Sequence, residues 1–176
     1  MNSTYRLTRK RRGEIAEAAF LHKAAQLGFT VSKTWGDSDH YDFIIDSGAR
    51  SWRIQIKSAH TPSRDGYRFR ASGFARDQVY TAKDIDFLIA YIAPEDSWYI
   101  LPIQLFGRIK SVKIITHSKK GIYRFGQYRE AWCQLTCPKH GECWKEIRVS
   151  RRCDLQGCPT VCDLHSPPCH SEPLQR

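Results

Sequence analysis

Nowhere does the 176-residue chain string together the roughly 18 apolar residues that a membrane-spanning helix needs. Its first residues run from Met1 through Arg6 to Arg9-Lys10-Arg11-Arg12 without the apolar core of a secretion signal. A cytoplasmic protein with no membrane partner is therefore expected. Cysteine is absent before position 133, so residues 1–132 contain neither a disulfide nor a cysteine-ligated metal. No internal repeat is visible, which argues against a solenoid. Acidic residues are scarce: 18 Asp and Glu stand against 28 Lys and Arg, a formal net charge of +10. Such a chain attracts polyanions.

What is present concentrates in two neighbouring segments. Tyr41-Asp42-Phe43-Ile44-Ile45-Asp46 and Trp52-Arg53-Ile54-Gln55-Ile56-Lys57-Ser58 both read as β-strands separated by a short turn. Strand alternation puts Gln55 and Lys57 on one face and Ile54 and Ile56 on the other. An acid, an amide oxygen and a lysine can then converge, a grouping suited to metal-assisted phosphodiester hydrolysis. The spacing alone is permissive, because a solvated polar face on a two-stranded ribbon would look the same. Upstream, Gly13 to Leu27 reads as an Ala- and Leu-rich helix closed by Gly28. Ala18, Leu21 and Ala25, with Ile15 beside them, form its expected apolar face, and Glu14 falls on that face four residues before Ala18.

The order of these elements resembles the PD-(D/E)xK nuclease superfamily, in particular the endonucleases associated with group I introns. The matching residues are Gly13-Glu14, Gly28-Phe29-Thr30-Val31, Tyr41 to Asp46, and Ile54-Gln55-Ile56-Lys57-Ser58. Later strands match at Asp84 to Tyr91 and Trp98 to Pro102, and a closing segment at Tyr128-Arg129-Glu130-Ala131-Trp132, so the likeness spans about residues 9–132. Gln55 departs from the Asp or Glu usual in the superfamily, although the intron-associated branch uses Gln there. The resemblance implies an α/β, restriction-endonuclease-like core: a central mixed β-sheet flanked by helices. It implies Mg²⁺, or Mn²⁺, held by Asp42 with Gln55, the carbonyl of Ile56 and, through water, Glu14. Lys57 would orient the attacking water or stabilise the phosphate. A glutamine carbonyl can ligate Mg²⁺ but brings no charge, so Asp42 and Glu14 must supply the negative field.

Charge distribution supports a nucleic-acid substrate independently. Residues 1–60 hold 10 basic and 6 acidic side chains, or +4, and residues 101–152 hold 12 and 3, or +9. Lys and Arg contacts to phosphates give salt-dependent affinity for double-stranded DNA. Arg9, Lys10, Arg11 and Arg12 are candidate backbone contacts, or simply a solvated helix entrance. In Tyr67-Arg68-Phe69-Arg70 the alternation puts Arg68 and Arg70 on one strand face, either along a groove or protecting an edge strand. Ile85 to Ile92 is apolar almost throughout, as expected of a strand covered on both faces, and Trp98 to Ile103 could pair back on it.

All seven cysteines fall between positions 133 and 169, so residues 133–176 read as a separate Cys- and His-rich extension after a nuclease-like domain of residues 1–132. Cys137-x2-His140-x2-Cys143 and Cys158-x3-Cys162-x2-His165 offer tetrahedral Zn²⁺ ligands, while Pro159, Pro167, Pro168 and Pro173 favour an irregular chain instead. The expected activity is site-specific, divalent-metal-dependent cleavage of both strands of DNA by a homo-oligomer, in the manner of a group I intron homing endonuclease. A junction-resolvase-like, restriction or repair nuclease is the nearest alternative. A DNA-binding module without catalysis is another, should Gln55 mark a decayed site.

Overall fold

The computed structural model describes residues 7–136 apart from 37, 49, 65, 74–77, 108 and 118–123. The zinc candidates Cys137, His140, Cys143, Cys158, Cys162 and His165 lie outside the described residues.

Helix α1 spans Arg9–Gln26. It starts earlier than its apolar pattern suggests, because Thr8 caps it: the Thr8 Oγ1 accepts from the Arg11 N–H at 3.2 Å. The basic run Arg9 to Arg12 is thus the first turn of the helix, where no acid complements the dipole. At the other end Gly28 takes φ +81°, and its N–H and that of Phe29 bond back to Ala25 and Ala24.

A five-stranded mixed sheet forms the centre. Its strands are β1 (Thr30–Lys33), β2 (Phe43–Asp46), β3 (Ser51–Ala59), β5 (Phe87–Ile92) and β6 (Ser97–Pro102), hydrogen-bonded in that order. Only β3 and β5 run parallel, with Gln55 opposite Leu88 and Lys57 opposite Ala90. The other neighbours in this sheet pair antiparallel. Alternation along β3 divides the core. Trp52, Ile54 and Ile56 pack with Ala16, Phe20 and Ala24 of α1, whereas Ala59 packs with Leu88, Ala90 and Ile92 on the far side of the sheet. That far side also receives a two-stranded antiparallel sheet of β4 (Tyr67–Arg70) and β7 (Ser111–Ile114). In β4, Tyr67 and Phe69 are buried while Arg68 and Arg70 are exposed, as the alternation predicts.

The packed body continues beyond Trp132. A single turn of helix, α2 (Cys133–Thr136), buries Gln134 and Leu135. Trp52 Nε1 donates to the Leu135 carbonyl at 2.9 Å, and Gln134 Nε2 donates to the Ile100 carbonyl at 2.9 Å. The expected boundary after Trp132 therefore falls inside the body, which runs at least to Thr136.

Candidate active site

Asp42 stands immediately before β2, where its own N–H is fixed to the Ile54 carbonyl at 2.8 Å. This bond directs the carboxylate across the neighbouring strand. There Asp42 Oδ2 accepts from the Ile56 N–H at 2.7 Å and from Gln55 Nε2. The same amide nitrogen reaches the Ile56 carbonyl at 3.3 Å, and Gln55 Oε1 accepts from the Tyr80 hydroxyl at 3.1 Å. Lys57 Nζ lies 5.6 Å from the centroid of the Tyr80 ring. The structure thus brings Asp42, Gln55, Ile56 and Lys57 together, and adds Tyr80.

Electrostatics follows from this enclosure. Burial pushes the Asp42 carboxyl up to about 6, against the Ile56 N–H and the Lys57 charge, which pull it down; Glu17 pushes it further up. Burial also lowers Lys57 below its ordinary range, with Asp42 and Glu17 opposing and Arg70 assisting. Tyr80 is pushed up to about 12, chiefly by burial and then by Asp42, so its hydroxyl keeps its proton at neutral pH.

Glu14 does not join this group. It lies on the solvent side of α1 and pairs with Arg11 at 3.0 Å. The expected apolar face is rotated from the real one: Ile15 and Leu21 are 39% and 45% exposed, while Ala16, Phe20 and Ala24 are buried. Phe20 sets the true face, wedged against Phe43, Trp98 and Trp132 at ring-centroid distances of 5.1, 6.0 and 6.2 Å. Glu17, three residues before Phe20, borders that face and bonds Lys33 at 2.9 Å. Its charge is felt at both Asp42 and Lys57. Glu17 is the acid that reading the stripe from Phe20, the sole aromatic of the helix, would have found.

Of the other candidate residues, Arg9, Lys10 and Arg11 are exposed on the first turn of α1, and Arg12 is half-buried. Arg70 bonds Ser72 at 2.7 Å and is close enough to depress Lys57, whereas Arg68 points outward from β4.

Among the described residues no group of three or more His, Cys, Asp or Glu side chains could hold a metal. The donor set at Asp42 nevertheless suits a hard cation in kind. One carboxylate, one amide and one main-chain carbonyl are oxygen ligands, and Mg²⁺ keeps waters in its other positions. Gln55 Nε2 now sits between Asp42 Oδ2 and the Ile56 carbonyl, donating where a cation would be attracted.

The profile of a known family, described as PD-(D/E)XK endonuclease, matches residues 7–135. The chain belongs to that family. As a PD-(D/E)XK endonuclease it has the sheet and helix arrangement expected of a restriction-endonuclease-like fold. Among solved structures, it is similar to the bacterial homing endonuclease I-Ssp6803I, at 26% identity and a TM-score of 0.64 over 80% of this chain and 98% of that one. A weaker likeness is to the Holliday junction resolvase Hjc of Archaeoglobus fulgidus, at 20% identity and a TM-score of 0.42 over 60% of this chain and 84% of that one. The second is too distant to support an argument. No match is found among the curated proteins. No helix among the described residues is long and apolar enough to cross a membrane.

Proposed function

We propose that this PD-(D/E)XK nuclease is a Mg²⁺-dependent, site-specific endonuclease that cleaves double-stranded DNA in the manner of a homing endonuclease. The observation that carries the reading is the convergence of Asp42, Gln55, the Ile56 carbonyl and Lys57 at one place beside the half-buried acid Glu17. The similarity to a homing endonuclease over nearly that protein's whole length supports the substrate class.

In this reading Asp42, the Gln55 amide and the Ile56 carbonyl hold the cation, which when bound neutralises phosphate charge and acidifies a water. Asp42 supplies its carboxylate at neutral pH despite burial, because the Ile56 N–H and Lys57 hold part of its charge. Lys57, desolvated and beside that carboxylate, places an ammonium against the phosphate or the attacking water. Glu17 assumes the role first expected of Glu14, adding negative field from the helix edge without a direct ligand bond. Arg70, next to Lys57, and the basic first turn of α1 contact the DNA backbone. The described residues provide one such cluster, and a duplex has two strands to cut. A homo-oligomer supplies the second site.

A randomised duplex library, together with a branched junction, tests this with Mg²⁺ or EDTA in the buffer. Expected is Mg²⁺-dependent double-strand cutting at a selected sequence, abolished by Asp42→Ala and by Lys57→Ala. Binding of duplex without cutting in Mg²⁺ or Mn²⁺ would reduce the protein to a binding module. Preferential cutting of the junction would move it to the resolvase class.

A further inference from the structure

The least expected group at the site is Tyr80. It arrives from outside the sheet, 25 positions along the chain from Gln55, and is 3% exposed. Several interactions fix it there. Val79 bridges Ser72, and the Gly73 N–H bonds the Gln78 carbonyl at 2.9 Å. Directly after Tyr80, the Thr81 N–H and hydroxyl both donate to Asp84 Oδ2 at 2.8 Å. Arg53 then clamps the turn, donating to the carbonyls of Ala82 and Lys83 and to the Asp86 carboxylate. A phenol anchored this firmly acts as a fixed post.

An amide can present either its oxygen or its nitrogen to a given neighbour, and the surrounding hydrogen bonds decide which. Here two acceptors, Asp42 Oδ2 and the Ile56 carbonyl, draw Nε2 inward, and Oε1 is left to the Tyr80 hydroxyl. In that orientation the amide cannot ligate a cation. A hydroxyl, unlike most partners, both donates and accepts. The geometry points to Tyr80 as a positioning residue for Gln55: its hydroxyl holds the amide in either orientation, so that Oε1 turns toward Asp42 when a divalent cation enters while Nε2 is received by Tyr80. This inference rests on the reading of Asp42, Gln55 and the Ile56 carbonyl as the cation site.

The two orientations depend on Tyr80 unequally, and that difference sets the sign of the test. With Nε2 inward the amide keeps two partners besides Tyr80. With Oε1 inward, the Tyr80 hydroxyl is the described acceptor for Nε2, and a buried unpaired N–H is the costlier loss. Removing the hydroxyl therefore penalises the cation-bound arrangement more, and only such a differential can change affinity.

The experiment measures Mn²⁺ binding to the full chain without DNA, by electron paramagnetic resonance of the free ion. Wild type should bind, Asp42→Asn should lose binding, and Tyr80→Phe should bind about tenfold more weakly, as expected for one buried hydrogen bond. In a Gln55→Met background, Tyr80→Phe should change affinity by less than about twofold, because no amide remains to be positioned. Equal affinity of wild type and Tyr80→Phe, with Asp42→Asn still defective, overturns the role of Tyr80 and leaves the site intact. Equal weakening by Tyr80→Phe with and without Gln55 also overturns it. Unimpaired binding by Asp42→Asn, or none by wild type, overturns both readings. A measurement on unmutated Tyr80 covers a misfolded variant: the Gln55 side-chain amide signals, identified by their loss in Gln55→Met, should shift on adding Mg²⁺ in nuclear magnetic resonance. Unmoved signals overturn the reorientation.

Discussion

Asp42→Asn should make the protein more stable while making it inactive. Burial raises the Asp42 carboxyl from its ordinary 3.8 to about 6 even after the Ile56 N–H and Lys57 have helped it ionise. Each tenfold in proton affinity corresponds to about 1.4 kcal/mol, so keeping this carboxylate ionised in the metal-free fold costs about 3 kcal/mol at neutral pH. Between pH 3.8 and about 6 the folded chain retains a proton that the unfolded chain has released. The Asp42 contribution to stability therefore falls as pH rises through that window and is level on either side of it. Asparagine carries no charge and can still accept from Ile56 and Gln55 through its oxygen. The loss of the Lys57 partnership is already contained in that shift, so we expect a net gain of about 3 kcal/mol. Urea denaturation in EDTA at pH 7.5 and near pH 3.5 measures it. The variant should be more stable at the higher pH and close to wild type at the lower. Adding Mg²⁺ at pH 7.5 should then stabilise wild type and leave the variant unchanged. An equal gain at both pH values, or none at pH 7.5, would refute the argument from desolvation.

The two helix acids should separate cleanly. Glu17→Gln should slow single-turnover cleavage about 10- to 100-fold, as loss of an outer group around a metal does, whereas Glu14→Gln, an exposed pair with Arg11, should stay within about twofold. A chain ending at Trp132 should be less stable than one ending at Thr136 by about 3–5 kcal/mol in urea denaturation. It loses the buried Leu135 and leaves Trp52 Nε1 and the Ile100 carbonyl without their partners. Trp35, 98% exposed on the loop between Thr34 and Asp42, should contribute under about 0.5 kcal/mol to stability, yet Trp35→Ala should weaken duplex binding about tenfold in a gel-shift titration if it stacks on a base beside the cleavage site.

Where sequence alternation was strict, the strands were legible. Tyr67 to Arg70 alternates buried and exposed, and Phe87 to Ile92 is buried at every position, both as written in the residues. The pairing of Asp42 with the Gln55-Ile56-Lys57 segment was legible too, because two short strands joined by a turn have few ways to lie together. The helix was harder. Apolar residues at 15, 16, 18, 19, 20, 21, 24, 25 and 27 surround the axis, so periodicity alone chooses no face. Packing chose it, through Phe43, Trp98 and Trp132 closing on Phe20. That rotation leaves Glu14 in solvent beside Arg11 and puts Glu17 where its charge acts on Asp42 and Lys57. Tyr80 had no local signature, since its place depends on Arg53 of the strand pair and on Asp84 holding a turn about 25 positions further along the chain.

The neutral residue at position 55 is best understood through the cost already borne at Asp42. Gln55 is 5% exposed, and a second carboxylate there would face the first across a hydrogen-bond distance, so one of the two would stay protonated in the metal-free protein. The amide removes that conflict. Its N–H groups satisfy Asp42 and the Ile56 carbonyl when no cation is present, and its oxygen remains available when one arrives. Lost anionic charge is partly offset by Glu17, which acts on Asp42 and Lys57 from the helix edge. On this argument glutamine exchanges some cation affinity for a folded state that tolerates an empty site, and its dependence on a fixed hydroxyl at Tyr80 follows from the same exchange.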